Sequence, residues 1–213
     1  MSLTPLSVYI GVVCALTLAE YVQDRRAQYF FKPLAAIGFL ILALLNGALE
    51  SQYGTLILIG LTFCAIGDVF LLARNRASLF LLGISAFALG HLLYGITFVQ
   101  NGISLEGIAL GTTAFVLFGL SFYFIIWPSV PKNMKMAVCG YIVIIGFMVI
   151  SAAMFAYAAS QWSVFLAAFL FALSDIFVAK DRFKSQENWH AFIITPMYFA
   201  AQALFAYSAA YMG

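Results

Sequence analysis

The chain consists of long apolar runs separated by short polar breaks, and within the runs apolar and polar residues do not alternate. Near-continuous apolar stretches of about 20 residues match the length an α-helix needs to cross the hydrocarbon of a bilayer. Strands of an outer-membrane barrel would instead show segments of about ten residues with period-two patterning. Division on helical length predicts eight helices, over residues 5–22, 33–49, 54–73, 79–99, 104–126, 136–157, 160–179 and 189–211. Lys32-Pro33 is expected to open the second helix, with Pro33 in the first turn, where a missing N–H does no harm. Gln100-Asn101-Gly102 and Trp127-Pro128-Ser129-Val130-Pro131 read as breaks, while only Ala158-Ala159-Ser160 separates the sixth run from the seventh. Pro196 falls inside the eighth run and is expected to kink it.

Composition fixes the class. Hydrophobic residues make up 65% of the chain and charged residues 8%, against about 25% charged in a soluble domain. The reading is an all-α integral membrane protein, one multi-pass transmembrane domain over residues 1–213 with no linker or soluble module. No basic residue precedes the first run, which therefore reads as a helix rather than a cleaved leader. Arg25, Arg26, Lys32, Arg74, Arg76, Lys132, Lys135, Lys180, Arg182 and Lys184 all fall after helices 1, 3, 5 and 7 or at their edges. By the positive-inside rule those loops are cytoplasmic and both termini extracytoplasmic, as expected in a bacterial inner membrane. Basic residues scattered over short loops make no nucleic-acid surface. Cys14, Cys64 and Cys139 lie in apolar runs and read as small buried hydrophobes, with no disulfide and no metal-ligand spacing. Membrane lipids are the expected surroundings, and the pattern leaves the oligomeric state open.

Against this background the intramembrane acids stand out. Asp68 occurs in Ala65-Ile66-Gly67-Asp68-Val69-Phe70 and Asp175 in Ala172-Leu173-Ser174-Asp175-Ile176-Phe177. A carboxylate inside the bilayer costs about 2.5–3.5 kcal/mol on insertion scales, so two in matching contexts need a reason. Glu20 precedes Arg25 by five residues, Asp68 precedes Arg74 by six, and Asp175 precedes Lys180 by five. At 1.5 Å per residue all three sit roughly 8–9 Å inside the cytoplasmic boundary. The two aspartates are 107 residues apart, or four spans, as a parallel repeat of four helices would place them and as chance in an Ala- and Phe-rich chain could also. Gly83, Phe87, Gly90, His91 and Tyr94 share one face of the fourth helix at steps of three and four. Tyr198 and Gln202 share a face of the eighth. Asn46 is a further polar group in the second helix, and Lys32 with Arg74 stands at the cytoplasmic mouth as interfacial cation or phosphate ligand. His190 beside Trp189 reads as interfacial. The chain has two histidines, far apart, so a histidine-ligated zinc site is not expected. No phosphate-binding glycine loop or nucleophile elbow occurs.

Taken together, Lys32-Pro33, Gly67-Asp68-Val69-Phe70-Leu71, Gly83 with Phe87, His91 and Tyr94, Ser174-Asp175, and Tyr198 with Gln202 resemble the YhhN-like lysoplasmalogenase family over essentially the whole chain. The resemblance implies an enzyme that cleaves the vinyl-ether bond of a lysoplasmalogen, or a related lysophospholipid, to a fatty aldehyde and a glycerophospho-ethanolamine or -choline. No cofactor or metal is implied. Vinyl-ether hydrolysis begins with protonation of the β-carbon and passes through an oxocarbenium ion, which requires one neutral acid and one nearby anion. Asp68 and Asp175 are the expected catalytic pair, with Glu20 as a third member or as the partner of Lys32. Lys32, Asn46, Arg74, His91, Tyr94, Tyr198 and Gln202 are expected around the substrate. The rival reading is a proton-coupled small-molecule or lipid transporter using the same acids.

Overall fold

The computed structural model describes residues 4–73 and 76–211. Among these it places eight long α-helices: α1 (Thr4–Tyr21), α2 (Arg25–Leu45), α3 (Gln52–Leu71), α4 (Ala77–Asn101), α5 (Leu105–Ile125), α6 (Lys135–Ala159), α7 (Trp162–Phe183) and α8 (Ala191–Ser208). Each is long and apolar enough to cross a membrane, so the eight spans expected from the apolar runs are present.

The start of α2 differs most from expectation. Asp24 accepts hydrogen bonds from the backbone N–H groups of Arg26 and Ala27, which satisfies donors that a helix start leaves open. The helix therefore begins at Arg25, and Pro33 lies inside it rather than in its first turn. A capping carboxylate set this boundary, and the polar first two turns hid it from a reading based on apolar runs. At the other end of the chain α7 continues through Lys180 and Arg182, whose charges suit the carbonyl end of a helix. Ser160, with φ 57°, closes α6 in the left-handed conformation and leaves a two-residue connection to α7. Pro196 lies within α8, which continues as one helix from Ala191 to Ser208.

Six helices close into a ring: α2 packs on α3, α3 on α4, α4 on α6, α6 on α7, α7 on α8, and α8 back on α2. Moving four helices along the chain carries the first three members onto the last three and reproduces every neighbour relation in the ring. The outer helices break the correspondence, since α1 leans on α2 and α8 whereas α5 leans on α6 and α7.

The tightest seam is between α3 and α4, and glycines make it. A Cβ on Gly60 would lie 2.4 Å from the Tyr94 ring, and one on Gly67 2.7 Å from the Phe87 ring. In the opposite direction, a Cβ on Gly90 would lie 2.9 Å from the Gly60 carbonyl oxygen, and one on Gly83 2.9 Å from Leu71. Small residues facing large ones on both helices let the backbones approach closely, which is how helices associate where no hydrophobic force separates protein from lipid. This seam fixes the depth at which α3 presents Asp68.

Of the three cysteines only Cys64 is buried; Cys14 and Cys139 lie on outward faces, and all three are free thiols. A cysteine within an apolar run is as well suited to face lipid as to face the core, so the expectation of three buried thiols holds for one.

Candidate active site

Asp68 on α3 and Asp175 on α7 line one cavity of about 90 Å³ inside the ring. Its remaining wall is almost wholly apolar, with Phe87, Phe118, Phe122, Ile145 and Phe171 among its members. Each carboxylate has a phenol. The Tyr198 hydroxyl donates to Asp68 Oδ2 at 2.6 Å, and the Tyr141 hydroxyl donates to Asp175 Oδ2 at 3.0 Å. Among the described residues no hydrogen bond joins the two aspartates, which face the same space from separate helices.

Behind Tyr198 a buried polar chain continues. Gln202 Nε2 donates to the Tyr198 hydroxyl oxygen at 2.9 Å, and the Tyr94 hydroxyl donates to Gln202 Oε1 at 3.3 Å. Tyr94 and Gln202 thus support a cavity-lining residue without lining the cavity themselves. His91 is fully buried, and neither of its ring nitrogens has a hydrogen-bond partner. Its ring packs edge-on against Phe171 at 4.3 Å and lies 5.7 Å from that of Tyr141. The structure therefore places it among the rings of Phe87, Tyr141 and Phe171, with no hydrogen bond to either carboxylate.

The cavity adjoins a second, polar one of about 390 Å³. Lys32, Leu71, Phe80, Val178 and Ile194 border both. Arg25, Arg182, Asp181 and Glu187 supply much of the polar wall of this vestibule. Glu20 belongs here rather than beside the aspartates: its Oε1 lies 3.1 Å from Lys32 Nζ, and Thr195 donates its hydroxyl proton to Oε2. Of the two roles expected for Glu20, this is the second, partner of Lys32 at the polar border of the cavity that holds the two aspartates. Phe80 marks the same border, with the Arg182 guanidinium 4.3 Å above its ring. The indole N–H of Trp189 donates to Glu187 at 2.5 Å and holds its carboxyl below the usual range, so the vestibule keeps an anion at its rim.

One expected residue falls outside this arrangement. Asn46 ends α2, where its amide donates to the Leu42 carbonyl at 2.7 Å, and it lines neither cavity. Arg74 lies outside the described residues. His190, in the turn before α8, is buried, held by Asp181 at Nδ1 and by Lys180 at Nε2, 3.0 Å away. The sequence reading missed Tyr141, Arg25 and Arg182 as site residues. Val138, Tyr141, Ile142 and Ile145 form a helical stripe on the cavity wall, and the one hydroxyl in that stripe was the available signal.

The model of the YhhN family matches residues 27–209. The chain belongs to the YhhN family. The matched YhhN region takes in α3 to α8 and nearly all of α2, and it stops short of α1 and Glu20. Among curated relatives, lysoplasmalogenase TMEM86A of Bos taurus is 33% identical over 177 residues, which cover 80% of this chain and 72% of the relative. Lysoplasmalogenase TMEM86A of Homo sapiens is 29% identical over the same shares of the two chains. No solved structure is a significant match.

Proposed function

We propose that this YhhN protein is a multi-pass membrane hydrolase that cleaves the vinyl-ether bond of a lysoplasmalogen or a closely related lysophospholipid. The observation that carries the reading is the juxtaposition of two compartments. An apolar cavity holding two carboxyl groups opens, across Lys32, onto a vestibule bearing Arg25 and Arg182. A lysolipid has the matching order of parts: a long chain, the reactive ether, then a phosphate. The names of the curated relatives support the same reaction.

In this reading the alkenyl chain lies among Phe118, Phe122, Ile145 and Phe171, the ether carbons sit between Asp68 and Asp175, and the phosphate rests in the vestibule near Lys32. One carboxyl protonates the β-carbon, and the other stabilises the resulting cation and orients water. Vinyl ethers hydrolyse by simple acid catalysis, so the residues present suffice for the chemistry. The basic vestibule belongs on the cytoplasmic side by the positive-inside rule, which puts both termini on the other face of a bacterial inner membrane.

The test is release of fatty aldehyde from a defined lysoplasmalogen by purified protein in detergent. Asp68→Asn and Asp175→Asn are each expected to lower kcat by about 10²–10⁴, the contribution of a positioned acid or base. Activity retained by both variants would sink the mechanism. A protein that leaves every lysolipid intact but moves a solute across proteoliposomes would instead be a transporter. Chelators are expected to leave aldehyde release unchanged.

A further inference from the structure

The two aspartates are held differently, and the difference separates their roles. At Asp68 the hydrogen bonds run one way. Tyr94 gives its proton to Gln202 Oε1, so the amide presents its N–H₂ to the Tyr198 hydroxyl oxygen, and Tyr198 sends its own single proton to Asp68. The last bond, 2.6 Å, has the length of an O–H donor on a charged oxygen, about 2.5–2.7 Å. Among the described residues Lys32 is the one cation on the cavity wall, and it stands within electrostatic reach of Asp68, as does its ion-pair partner Glu20.

Asp175 has none of this reinforcement. Its bond to Tyr141 is 3.0 Å long, at the far end of the range for hydroxyl donors. The Tyr141 hydroxyl makes no second hydrogen bond among the described residues, so nothing fixes the direction of its proton. The bond can run from Tyr141 to a carboxyl oxygen or from a protonated Asp175 to Tyr141. The apolar wall of the shared cavity favours the neutral form of either acid, and at Asp175 no second hydrogen bond to the phenol opposes it.

Building on the vinyl-ether reading above, we infer that Asp175 is the neutral proton donor and Asp68 the resident anion, kept as such by the Tyr94–Gln202–Tyr198 chain. The assignment gives a closed cycle. Asp175 transfers its proton to the β-carbon, the C=C electrons form the new C–H bond, and the ether oxygen shares the positive charge. Water then adds to the α-carbon and gives one proton to Asp68, yielding a hemiacetal. As the C–O bond to glycerol breaks, Asp68 returns that proton to the departing oxygen and the hemiacetal hydroxyl gives its proton to Asp175. One water is consumed, an aldehyde and an alcohol are released, and both carboxyls regain their starting states. Tyr94 and Gln202 act through Tyr198 and are positioning residues.

Infrared spectroscopy of the purified protein at neutral pH tests this without substrate, because a neutral carboxyl has a C=O stretching band that a carboxylate lacks. The expected result is one such band, lost in Asp175→Asn and retained in Asp68→Asn. A band lost in Asp68→Asn, or no band at all in the unaltered protein, overturns the assignment. Gln202→Leu frees Tyr198 to turn its proton away and is expected to add a second neutral-carboxyl band, which Gln202→Leu/Asp68→Asn removes. An unchanged spectrum in Gln202→Leu, with the fold intact by thermal denaturation, refutes the positioning role of the chain. The spectrum and the aldehyde assay fail separately: the expected bands without aldehyde release would reject the substrate and keep the assignment, and release with reversed bands would do the opposite.

Discussion

Lys32 stands where an apolar and a polar compartment meet, paired with Glu20, and in the proposed reaction its ammonium meets the substrate phosphate there. A hydrogen bond to a charged group is worth about 1.5–3 kcal/mol. Lys32→Met is therefore expected to lower kcat/KM for a lysolipid about tenfold to a hundredfold, mostly through KM. Saturation kinetics on the aldehyde assay check this, and a loss confined to kcat would place Lys32 with the reacting atoms instead. Single residues of this kind were legible in the sequence where their presence in a membrane span is expensive. Asp68 and Asp175 stood out for that reason and Lys32 as a cation at the mouth of the second helix, and the structure brings all three to one cavity. Tyr141 did not stand out, because tyrosine has an apolar body and excites no suspicion in a helix. His91 shows the converse: a polar residue conspicuous in sequence that the fold sets among aromatic rings, with both nitrogens unpartnered.

At the scale of helices the length of each apolar run was visible, whereas some helix starts were not. The start of α2 depends on a capping bond from Asp24 to N–H groups two and three residues ahead, and such a contact has no counterpart in hydropathy. Packing between helices was partly readable from Gly67, Gly83 and Gly90, while Gly60 became evident only with the Tyr94 ring that fills its place. The α3–α4 seam makes a direct prediction. Gly90→Ala would force a methyl against the Gly60 carbonyl, a backbone atom that cannot swing aside, and overpacking of this kind costs about 1–3 kcal/mol. A lower thermal denaturation midpoint in detergent is expected, together with reduced aldehyde release as α3 shifts Asp68. Gly119 on α5 has open space where its Cβ would be, so Gly119→Ala should leave the midpoint unchanged or raise it, Ala being favoured over Gly in a helix by about 0.5–1 kcal/mol. Equal losses in the two variants would mean that close approach is not what the α3–α4 glycines provide.

For the whole molecule, orientation is the quantity most directly open to experiment. Arg25, Lys32 and Arg182 line one vestibule, so basic residues from the first turns of α2 and the last turn of α7 gather at one end of the bundle. The described C-terminal end lies against the other set of loops, where the Ser51 hydroxyl donates to the Tyr211 carbonyl at 3.3 Å. A cysteine introduced at Lys132 in a chain lacking Cys14, Cys64 and Cys139 is expected to resist an impermeant thiol reagent in intact cells and to react once the membrane is opened. Labelling in intact cells would invert the bundle. The ring itself was foreshadowed only by the matched contexts of Asp68 and Asp175; its neighbour relations, repeated four helices on, depend on which faces meet in three dimensions.

The shared border of Lys32, Leu71, Phe80, Val178 and Ile194 has one more consequence. In the proposed reaction a lysolipid cut between the two aspartates, just inside that border, yields fragments of opposite solubility, each beside the compartment it prefers. The aldehyde is left in the greasy half of the bundle, continuous in character with the bilayer, and the glycerophospho fragment is left among cations facing water. Partition then drives the fragments apart, so the back reaction lacks a co-localised pair of reactants. Build-up of one product outside the protein would hinder turnover only from the side on which that product collects.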